Sequence, residues 1–131
     1  YLFGKGLYFA NSIQKSAHYC WMHEQASDIG VCALLEVALG DPLECFTGFN
    51  SNAPAECAAA RKGHTFAPGR FHPTIPNPPD LLGDGIIVPN GPMETRTGVG
   101  SLFDELICYN ESQAKLRFVM TVRFTSALSS I

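Results

Sequence analysis

The sequence predicts an α+β domain with many strands and few helices, and three segments support this. Residues 30–40 are almost continuously apolar, which is typical of a strand that lies inside a sheet. Residues 115–124 alternate between apolar and mostly polar side chains, with the period of two that a strand requires. Residues 13–24 carry apolar side chains at helical spacing.

The composition is that of one ordinary domain. The chain has 131 residues, of which 46% are hydrophobic and 16% charged, so it has enough apolar content to bury a core. No apolar run approaches the roughly 20 residues that span a bilayer, and the first ten residues do not resemble a signal peptide. We therefore expect a soluble protein without a membrane partner. The formal net charge of -3 predicts no general binding of nucleic acid by this segment.

The cysteines indicate a reducing compartment. They are five in number and scattered, an arrangement that suits reduced, buried thiols of an intracellular protein better than a disulfide framework. They are Cys20, Cys32, Cys45, Cys57 and Cys108, of which the second and the last fall inside predicted core strands.

The first segment begins at Tyr1 with an apolar run and no initiator methionine, so we interpret the chain as a fragment. Ser12 is a suitable N-cap for a helix over residues 13–24. Ser16 and Tyr19 are three positions apart and therefore share one face of that helix. The apolar strand that follows, over residues 30–40, is predicted to be central and covered on both faces, with Glu36 as its only charge.

Residues 41–100 are interrupted throughout by proline and glycine. Within them, Asn52 could cap a short helix through residues 53–62 that Gly63 would close. Residues 85–89 could form a short strand. We expect the remainder to be long surface loops, which in a compact domain are usually functional or mobile.

Residues 101–109 read as one strand that carries a carboxylate on an apolar face. With a period of two, Glu105 shares its face with Phe103, Ile107 and Tyr109. An ionised carboxylate there needs a partner, which is either a polar ligand in a cleft or a fixed donor such as Arg117. The last strand, over residues 115–124, is predicted to have one buried face, and residues 125–131 are expected to fray.

Four motifs in order carry a resemblance to a known family: Gly-Lys-Gly-Leu-Tyr-Phe-Ala at 4–10, Lys-Ser-Ala-His-Tyr-Cys at 15–20, Leu-Glu-Val-Ala-Leu-Gly at 35–40 and Phe-Asp-Glu-Leu-Ile-Cys-Tyr at 103–109. Together they resemble the C-terminal half of the poly(ADP-ribose) polymerase catalytic domain. The resemblance implies an ADP-ribosyltransferase-like fold, with two packed, mainly antiparallel sheets around an NAD cleft. Residues 1–131 would then be the C-terminal part of a single catalytic domain.

What the resemblance implies is an enzyme that splits the bond between nicotinamide and ribose in NAD. It would pass ADP-ribose to protein acceptors and elongate poly(ADP-ribose) chains, as a glycosyltransferase of the pentosyl type. NAD would be the co-substrate, no metal would take part, and the location would be nuclear.

The resemblance also implies roles for individual residues. Glu105 matches the catalytic glutamate, and Lys15 matches a lysine close to the transferred ribose. Tyr8 matches a tyrosine that lines the pocket for the nicotinamide-side ribose. A carboxylate near that ribose can stabilise developing positive charge and hold the 2-hydroxyl, as in glycosidases.

The nicotinamide ring would be held by Ser16, Tyr19, Tyr8 and Gly6. The Ser16 hydroxyl would bind the carboxamide, and the Tyr19 ring would stack on the cationic nicotinamide, adding cation–π attraction. Each assignment has a simpler alternative: the two tyrosines could be core aromatics, Ser16 a surface serine and Lys15 a solvated charge.

Other interpretations are less favoured. The spacing of His18, Cys20 and His23 resembles a metal site, but only two of the three can face one way on a helix. A toxin-like mono-transferase would often carry a Glu-x-Glu motif that is missing here, and an inactive or truncated member acting as a binding module remains the main alternative. Acceptor specificity is expected from residues 89–100, which include Asn90, Met93, Glu94, Thr95 and Arg96.

This sequence departs from the family pattern at Asn11, His18 and Leu106, and these changes look tolerable. The family's His-Gly element and the loop that closes over NAD would lie upstream of Tyr1. We therefore expect the 131-residue chain to need the upstream half of the domain and to bind NAD poorly by itself.

Overall fold

The computed structural model describes residues 1–20 and 28–124. Neither of the α-helices in these ranges has the length and apolar character needed to cross a membrane. The helices are α1 (Ile13–Cys20) and α2 (Ala53–Ala59), and short 3-10 turns lie at Gly83–Gly85 and Glu111–Gln113. The strands are β1 (Leu7–Phe9), β2 (Ile29–Val37), β3 (Pro42–Glu44), β4 (His64–Ala67), β5 (Gly69–Pro73), β6 (Asp80–Leu82), β7 (Ile86–Val88), β8 (Met93–Thr95), β9 (Ser101–Phe103), β10 (Glu105–Cys108) and β11 (Ala114–Arg123).

The strands form one sheet of four, ordered β1-β10-β4-β3, one of three, ordered β8-β5-β9, and the pairs β2-β11 and β6-β7. Most of the described pairings are antiparallel; only β3-β4 and β5-β9 are parallel. The predicted α+β class with mainly antiparallel sheet is therefore confirmed. The chain crosses twice between the four-stranded and the three-stranded sheet. β4 leads into β5, and β9 leads into β10, each time with one residue between the two strands.

The core lies under the four-stranded sheet and ties the N-terminal segment to β10. Its buried members are Phe3, Cys45, Ala53, Ala67 and Ile107. The hydroxyl of Tyr109 donates to the carbonyl of Phe3 over 2.9 Å and lies 2.8 Å from the hydroxyl of Thr65. Because Phe3 is fully buried, the chain before β1 is held against β10.

The β2-β11 pair corrects two predictions. β2 was expected to be central and covered on both faces, but within the described residues it pairs only with β11, and Val31 is 64% exposed. β11 was expected to have one buried face, but Phe118 is 57% exposed, and a register shift between Leu116 and Phe118 interrupts the alternation. The reason is that the described residues place no second layer over much of this two-stranded sheet. Many of its apolar side chains therefore remain exposed.

Residues 41–100 contain far more strand than was predicted. β7 confirms the expected strand near residues 85–89, but β3, β4, β5, β6 and β8 were interpreted as loops. These strands have only three to five residues each, too few for a period to be recognised between prolines and glycines.

Helix α2 begins after Asn52 as predicted, but it ends at Ala59 instead of residue 62. Arg61 takes the left-handed conformation with φ 54°, and the Lys62 N–H closes the helix on the Cys57 carbonyl over 2.9 Å. Gly63, expected to close the helix, instead allows the chain to pass close to the backbone of Leu39, where a Cβ would overlap the carbonyl.

The predicted strand over residues 101–109 is broken in two at Asp104. β9 pairs with β5 in the three-stranded sheet, whereas β10 pairs with β1 and β4 in the four-stranded sheet. The expected shared face of Phe103 and Glu105 is therefore interrupted, because the two residues belong to different sheets. The predicted fraying of residues 125–131, and the part of the first helix predicted beyond Cys20, lie outside the described residues.

All five cysteines are free thiols, and four of them are buried, as the sequence predicted. Burial raises the pKa of Cys32, Cys57 and Cys108, which keeps these thiols protonated and weakly reactive.

Candidate active site

A cleft of about 1090 Å³ lies between the N-terminal segment, α1, β2 and the start of β10. Its lining includes Tyr8, Lys15, Ser16, Tyr19 and Glu105. Pockets for small ligands usually measure about 300–1,000 Å³, so the cleft is large enough for part of a dinucleotide. Residues predicted from three separate motifs therefore meet in one cavity.

Glu105 is the first residue of β10, where its backbone pairs with Ala67 of β4. Its Oε1 lies 3.1 Å from Nζ of Lys15, and the two side chains are 17% and 12% exposed. Burial lowers the pKa of Lys15, while the negative charges of Glu105 and Asp104 act in the opposite direction. The carboxylate is thus partnered, but by a residue of the cleft wall and not by Arg117.

Arg117, the predicted alternative partner, binds Glu36 across the β2-β11 pair, with Nη1 3.3 Å from Oε2. Glu36, the only charge in the predicted apolar strand, is therefore paired with a residue of the neighbouring strand. The internal Glu105–Arg117 ion pair is wrong, because a register shift in β11 and the pairing of β11 with β2 direct Arg117 toward Glu36.

Helix α1 presents four residues to the cleft, of which Cys20 is the last. Lys15, Ser16 and Tyr19 lie on the side of α1 that faces β2 and β10, as the expected helical spacing requires. The Ser16 hydroxyl is 3.5 Å from the carbonyl of Ser12, a long contact that leaves it able to bind a ligand. The Tyr19 side chain is 64% exposed in the cleft wall, which is the condition that stacking on a ligand requires.

Tyr8 contributes its ring to the cleft while its hydroxyl is used locally. The hydroxyl accepts from the Phe3 N–H over 3.0 Å and donates to the Gly4 carbonyl over 2.7 Å. Burial raises the pKa of this phenol. Tyr8 thus closes the turn between residues 3 and 8 and holds the N-terminal wall of the cleft.

Gly6 lies outside the cleft lining and packs against β10. A Cβ at this position would meet the side chain of Ile107 and the backbone of Cys108. The absence of a side chain at Gly6 lets β1 approach β10, and its predicted part in nicotinamide binding remains a prediction.

The metal-like spacing at 18–23 does not converge in the part that is described. The ring of His18 packs edge-on against Phe103 at 5.8 Å, whereas Cys20 Sγ lies 3.6 Å from Cys32 Sγ. His23 lies outside the described residues. Within residues 1–20 and 28–124, no three His, Cys, Asp or Glu side chains are grouped as metal ligands would be.

Sequence reasoning missed Asp104, which is more buried than Glu105. Its carboxylate is held by Arg96 Nη1 at 2.9 Å, Asn11 Nδ2 at 2.9 Å and the Gly69 N–H at 2.7 Å. With a period of two, Asp104 would stand on the face opposite Glu105, so the alternation by itself did not indicate that it is buried. The break between β9 and β10 at Asp104, and the donors that reach its carboxylate, depend on the fold.

The arrangement suits a ligand that carries a cationic aromatic ring, an amide and a sugar. An exposed aromatic ring, a hydroxyl, an ammonium and a carboxylate line the same cleft. These groups can respectively stack on a cationic ring, bind an amide, neutralise an acid and stabilise positive charge on a sugar.

Comparison with known proteins identifies the family. The model of the poly(ADP-ribose) polymerase catalytic domain matches residues 1–124. Poly [ADP-ribose] polymerase 2 of Arabidopsis thaliana is 40% identical over 129 residues, which cover 95% of this chain and 19% of that protein. Poly [ADP-ribose] polymerase of Drosophila melanogaster is 35% identical over 128 residues, covering 95% and 12%. Poly [ADP-ribose] polymerase 2 of Homo sapiens is 33% identical over 129 residues, covering 95% and 21%. The chain thus spans about a fifth or less of the length of these relatives, and it belongs to the poly(ADP-ribose) polymerase catalytic-domain family.

Proposed function

We propose that this chain forms the nicotinamide side of the active site of an enzyme that transfers ADP-ribose from NAD to protein acceptors. The observation that carries the proposal is that the Glu105 carboxylate, the Ser16 hydroxyl and the exposed Tyr19 ring line one cleft. Family membership supports the same reaction. No contact among the described residues favours the alternative of an inactive binding module.

The residues divide the work as follows. Tyr19 stacks on the nicotinamide, and this attraction weakens when the ring leaves as a neutral molecule. Ser16 fixes the orientation of the carboxamide, and orientation is a large part of the barrier to displacement. Glu105 stabilises the positive charge that develops on the ribose and accepts a hydrogen bond from the hydroxyl of the attacking acceptor.

Lys15 holds the catalytic carboxylate in place. Its ammonium binds Glu105 Oε1 at 3.1 Å and the Asp104 carbonyl at 3.2 Å. One Glu105 oxygen is therefore oriented by an ion pair before any ligand enters, which leaves the other oxygen for the sugar or the acceptor.

The finer parts of the proposal concern the whole protein. We assign it to the pentosyl glycosyltransferases, with NAD as co-substrate, no metal, elongation of poly(ADP-ribose) and a nuclear location. Turnover by the 131-residue chain alone should be low, since matches to the family's His-Gly element are missing among its residues.

The test uses the full-length protein and NAD labelled in its adenylate part. Release of nicotinamide together with labelled protein of increasing size is the expected result. A folded protein that releases no nicotinamide would refute the transfer reaction. Labelled protein that never grows beyond one unit would refute elongation and favour a mono-transferase.

Turnover should fall at alkaline pH through the loss of the Lys15 proton. The pKa of Lys15 is lowered by burial below the usual lysine value of 10.5, so the ammonium becomes neutral earlier than an exposed lysine would. Above that pKa the Lys15–Glu105 ion pair is lost, and kcat/KM for NAD should fall about tenfold per pH unit. Steady-state kinetics between pH 7 and pH 11 measure this decrease, which is the alkaline limb of the pH profile of kcat/KM.

Lys15→Arg is the informative variant, because a guanidinium keeps its charge throughout this range. It should move the alkaline fall in kcat/KM to higher pH, where the Tyr8 phenol, whose pKa is raised by burial, still titrates. Lys62→Arg, at an exposed lysine, should leave the fall unchanged. The same alkaline limb in wild type and Lys15→Arg would rule out this role of Lys15.

A further inference from the structure

Asp104 is the one acidic residue among positions 1–20 and 28–124 that is buried, with 4% of its surface exposed. Its carboxylate accepts hydrogen bonds from three separate segments: the Gly69 N–H at 2.7 Å, Arg96 Nη1 at 2.9 Å and Asn11 Nδ2 at 2.9 Å. Hydrogen bonds to an ionised group are about twice as strong as neutral ones. Such a carboxylate holds the segments that it joins at a defined separation.

The bond from Asn11 shows how strongly this site is arranged around the carboxylate. Asn11 Oδ1 is buried and has no hydrogen-bond partner in the described structure. Leaving a buried acceptor unpaired is unfavourable, because the group loses its hydrogen bonds to water. Turning the amide around would remove its donor from Asp104 Oδ2 and place an oxygen there instead, so the orientation is set by the need to donate to Asp104.

Asp104 stands where the chain passes from one sheet to another. β9 pairs with β5 before it, and β10 pairs with β4 after it. Its bond to Gly69, the first residue of β5, joins this crossing to the neighbouring one between β4 and β5. Since a shift of one residue turns every side chain to the opposite face, the crossing determines that Glu105 points into the cleft.

The backbone of Asp104 also contacts the cleft machinery. Its carbonyl accepts a hydrogen bond from Lys15 Nζ at 3.2 Å, and the same ammonium lies 3.1 Å from Glu105 Oε1. The Asp104 carboxylate itself is not part of the cleft lining. Any effect of that carboxylate on the reaction must therefore act through the placement of its neighbours.

Arg96 connects this crossing to the segment 89–100, to which the sequence analysis assigns acceptor specificity. Arg96 binds the Asp104 carboxylate and the Gly69 carbonyl, the latter at 3.3 Å, while its backbone N–H binds the Arg70 carbonyl at 2.8 Å. Its side chain is 31% exposed, so it ties a surface segment to the residue next to Glu105.

We propose that Asp104 is a positioning residue for ADP-ribosyl transfer: clamped by Arg96, Asn11 and Gly69, its carboxylate fixes the sheet crossing that aims Glu105 and Lys15 into the cleft. This inference rests on the proposed function. It separates Asp104 from the groups that contact NAD, so it concerns the rate of transfer and not the binding of NAD.

The test measures steady-state NAD turnover by the full-length protein with Asp104→Asn, which keeps the size of the side chain and removes its charge. We expect kcat per folded molecule to fall about tenfold to a hundredfold, because small misplacements of reacting groups have effects of this size. KM for NAD should change less than about threefold, since Ser16 and Tyr19 line the cleft and Asp104 is not part of that lining. Glu36→Gln, which breaks a carboxylate–arginine pair on β2-β11, is the matched control and should leave kcat within about twofold.

A second pair of variants keeps the inference testable if Asp104→Asn folds poorly. Arg96→Gln should lower kcat in the same direction and Arg96→Lys should restore most of it, because the lysine can keep the ion pair. Adding Arg96→Gln to Asp104→Asn should cost little more, since both changes disrupt one contact.

Three results would overturn the inference. The first is a kcat per folded molecule within twofold of wild type in Asp104→Asn or, where that protein does not fold, in Arg96→Gln. The second is a loss fully explained by the unfolded fraction measured by circular dichroism. The third is a loss of kcat in the double variant that equals the product of the fold-losses in the two single variants. Wild-type protein that releases no nicotinamide would instead refute the proposed function, and the positioning role with it.

Discussion

Replacing Glu105 with glutamine should lower the formation of polymer from NAD by the full-length protein about a hundredfold or more. The amide has nearly the same shape as the carboxylate but carries no negative charge. The amide therefore stabilises positive charge on the ribose less than the carboxylate does. It is also a weaker acceptor for the hydrogen bond from the acceptor hydroxyl. Labelled NAD and separation of the products by size measure both nicotinamide release and chain length.

Chain growth should suffer more than nicotinamide release in Glu105→Gln, because elongation needs the carboxylate for both the sugar and the acceptor. Glu44→Gln removes an exposed carboxylate at the end of β3 and should leave both activities within about twofold. If Glu105→Gln formed polymer at the wild-type rate, the carboxylate would have no catalytic role. An unaffected partner interaction in a wild-type protein without NAD turnover would support the binding-module alternative.

Gly69→Ala should be among the most destabilising substitutions in the chain. Gly69 begins β5 beside β9, and a Cβ there would overlap the backbone of Phe103 and Asp104. Backbone atoms cannot move aside as the end of a flexible side chain can, so we expect a loss of more than about 3 kcal/mol in the free energy of unfolding. The melting temperature should fall by roughly 10 °C or more.

Calorimetry of the full-length protein measures this loss, with the transition of this domain recognised by its shift on addition of NAD. Gly83→Ala is the matched control, because no atom lies within 4 Å of a Cβ built there, and it should change the melting temperature little. Equal melting temperatures for the two variants would show that the crossing of β4-β5 past β9-β10 is loosely packed. That outcome would also weaken the positioning role of Asp104.

Much of the candidate site could be predicted because the motifs that carry the family resemblance are local in sequence. The spacing of Ser16 and Tyr19 on one helix is a property of helical geometry, and both residues line the cleft with Lys15. Glu105 was predicted to need a partner or a ligand because it is a carboxylate in an apolar strand pattern, and it lies in the same cleft. These inferences needed no knowledge of which strand lies beside which.

The errors share one physical cause, which is that pairing between strands is not encoded at short range. The strands β3, β4, β5, β6 and β8 are held by partners distant in sequence and are too short to show a period. The opposite error occurred at β2, where a long apolar pattern predicted full burial. In the described residues β11 is its only strand neighbour, and Leu34 remains 44% exposed.

The sequence by itself determined the order of the family motifs, the helix that carries Ser16 and Tyr19, and the presence of strands at β10 and β11. Only the tertiary structure decided that the strand breaks at Asp104, that this neighbour of Glu105 is the buried carboxylate, and that Arg117 binds Glu36. The reason is that a strand pattern with a period of two shows only that adjacent side chains face opposite ways. Which face is covered, and by which donors, depends on segments such as Gly69 and Arg96 that reach the site only when the chain has folded.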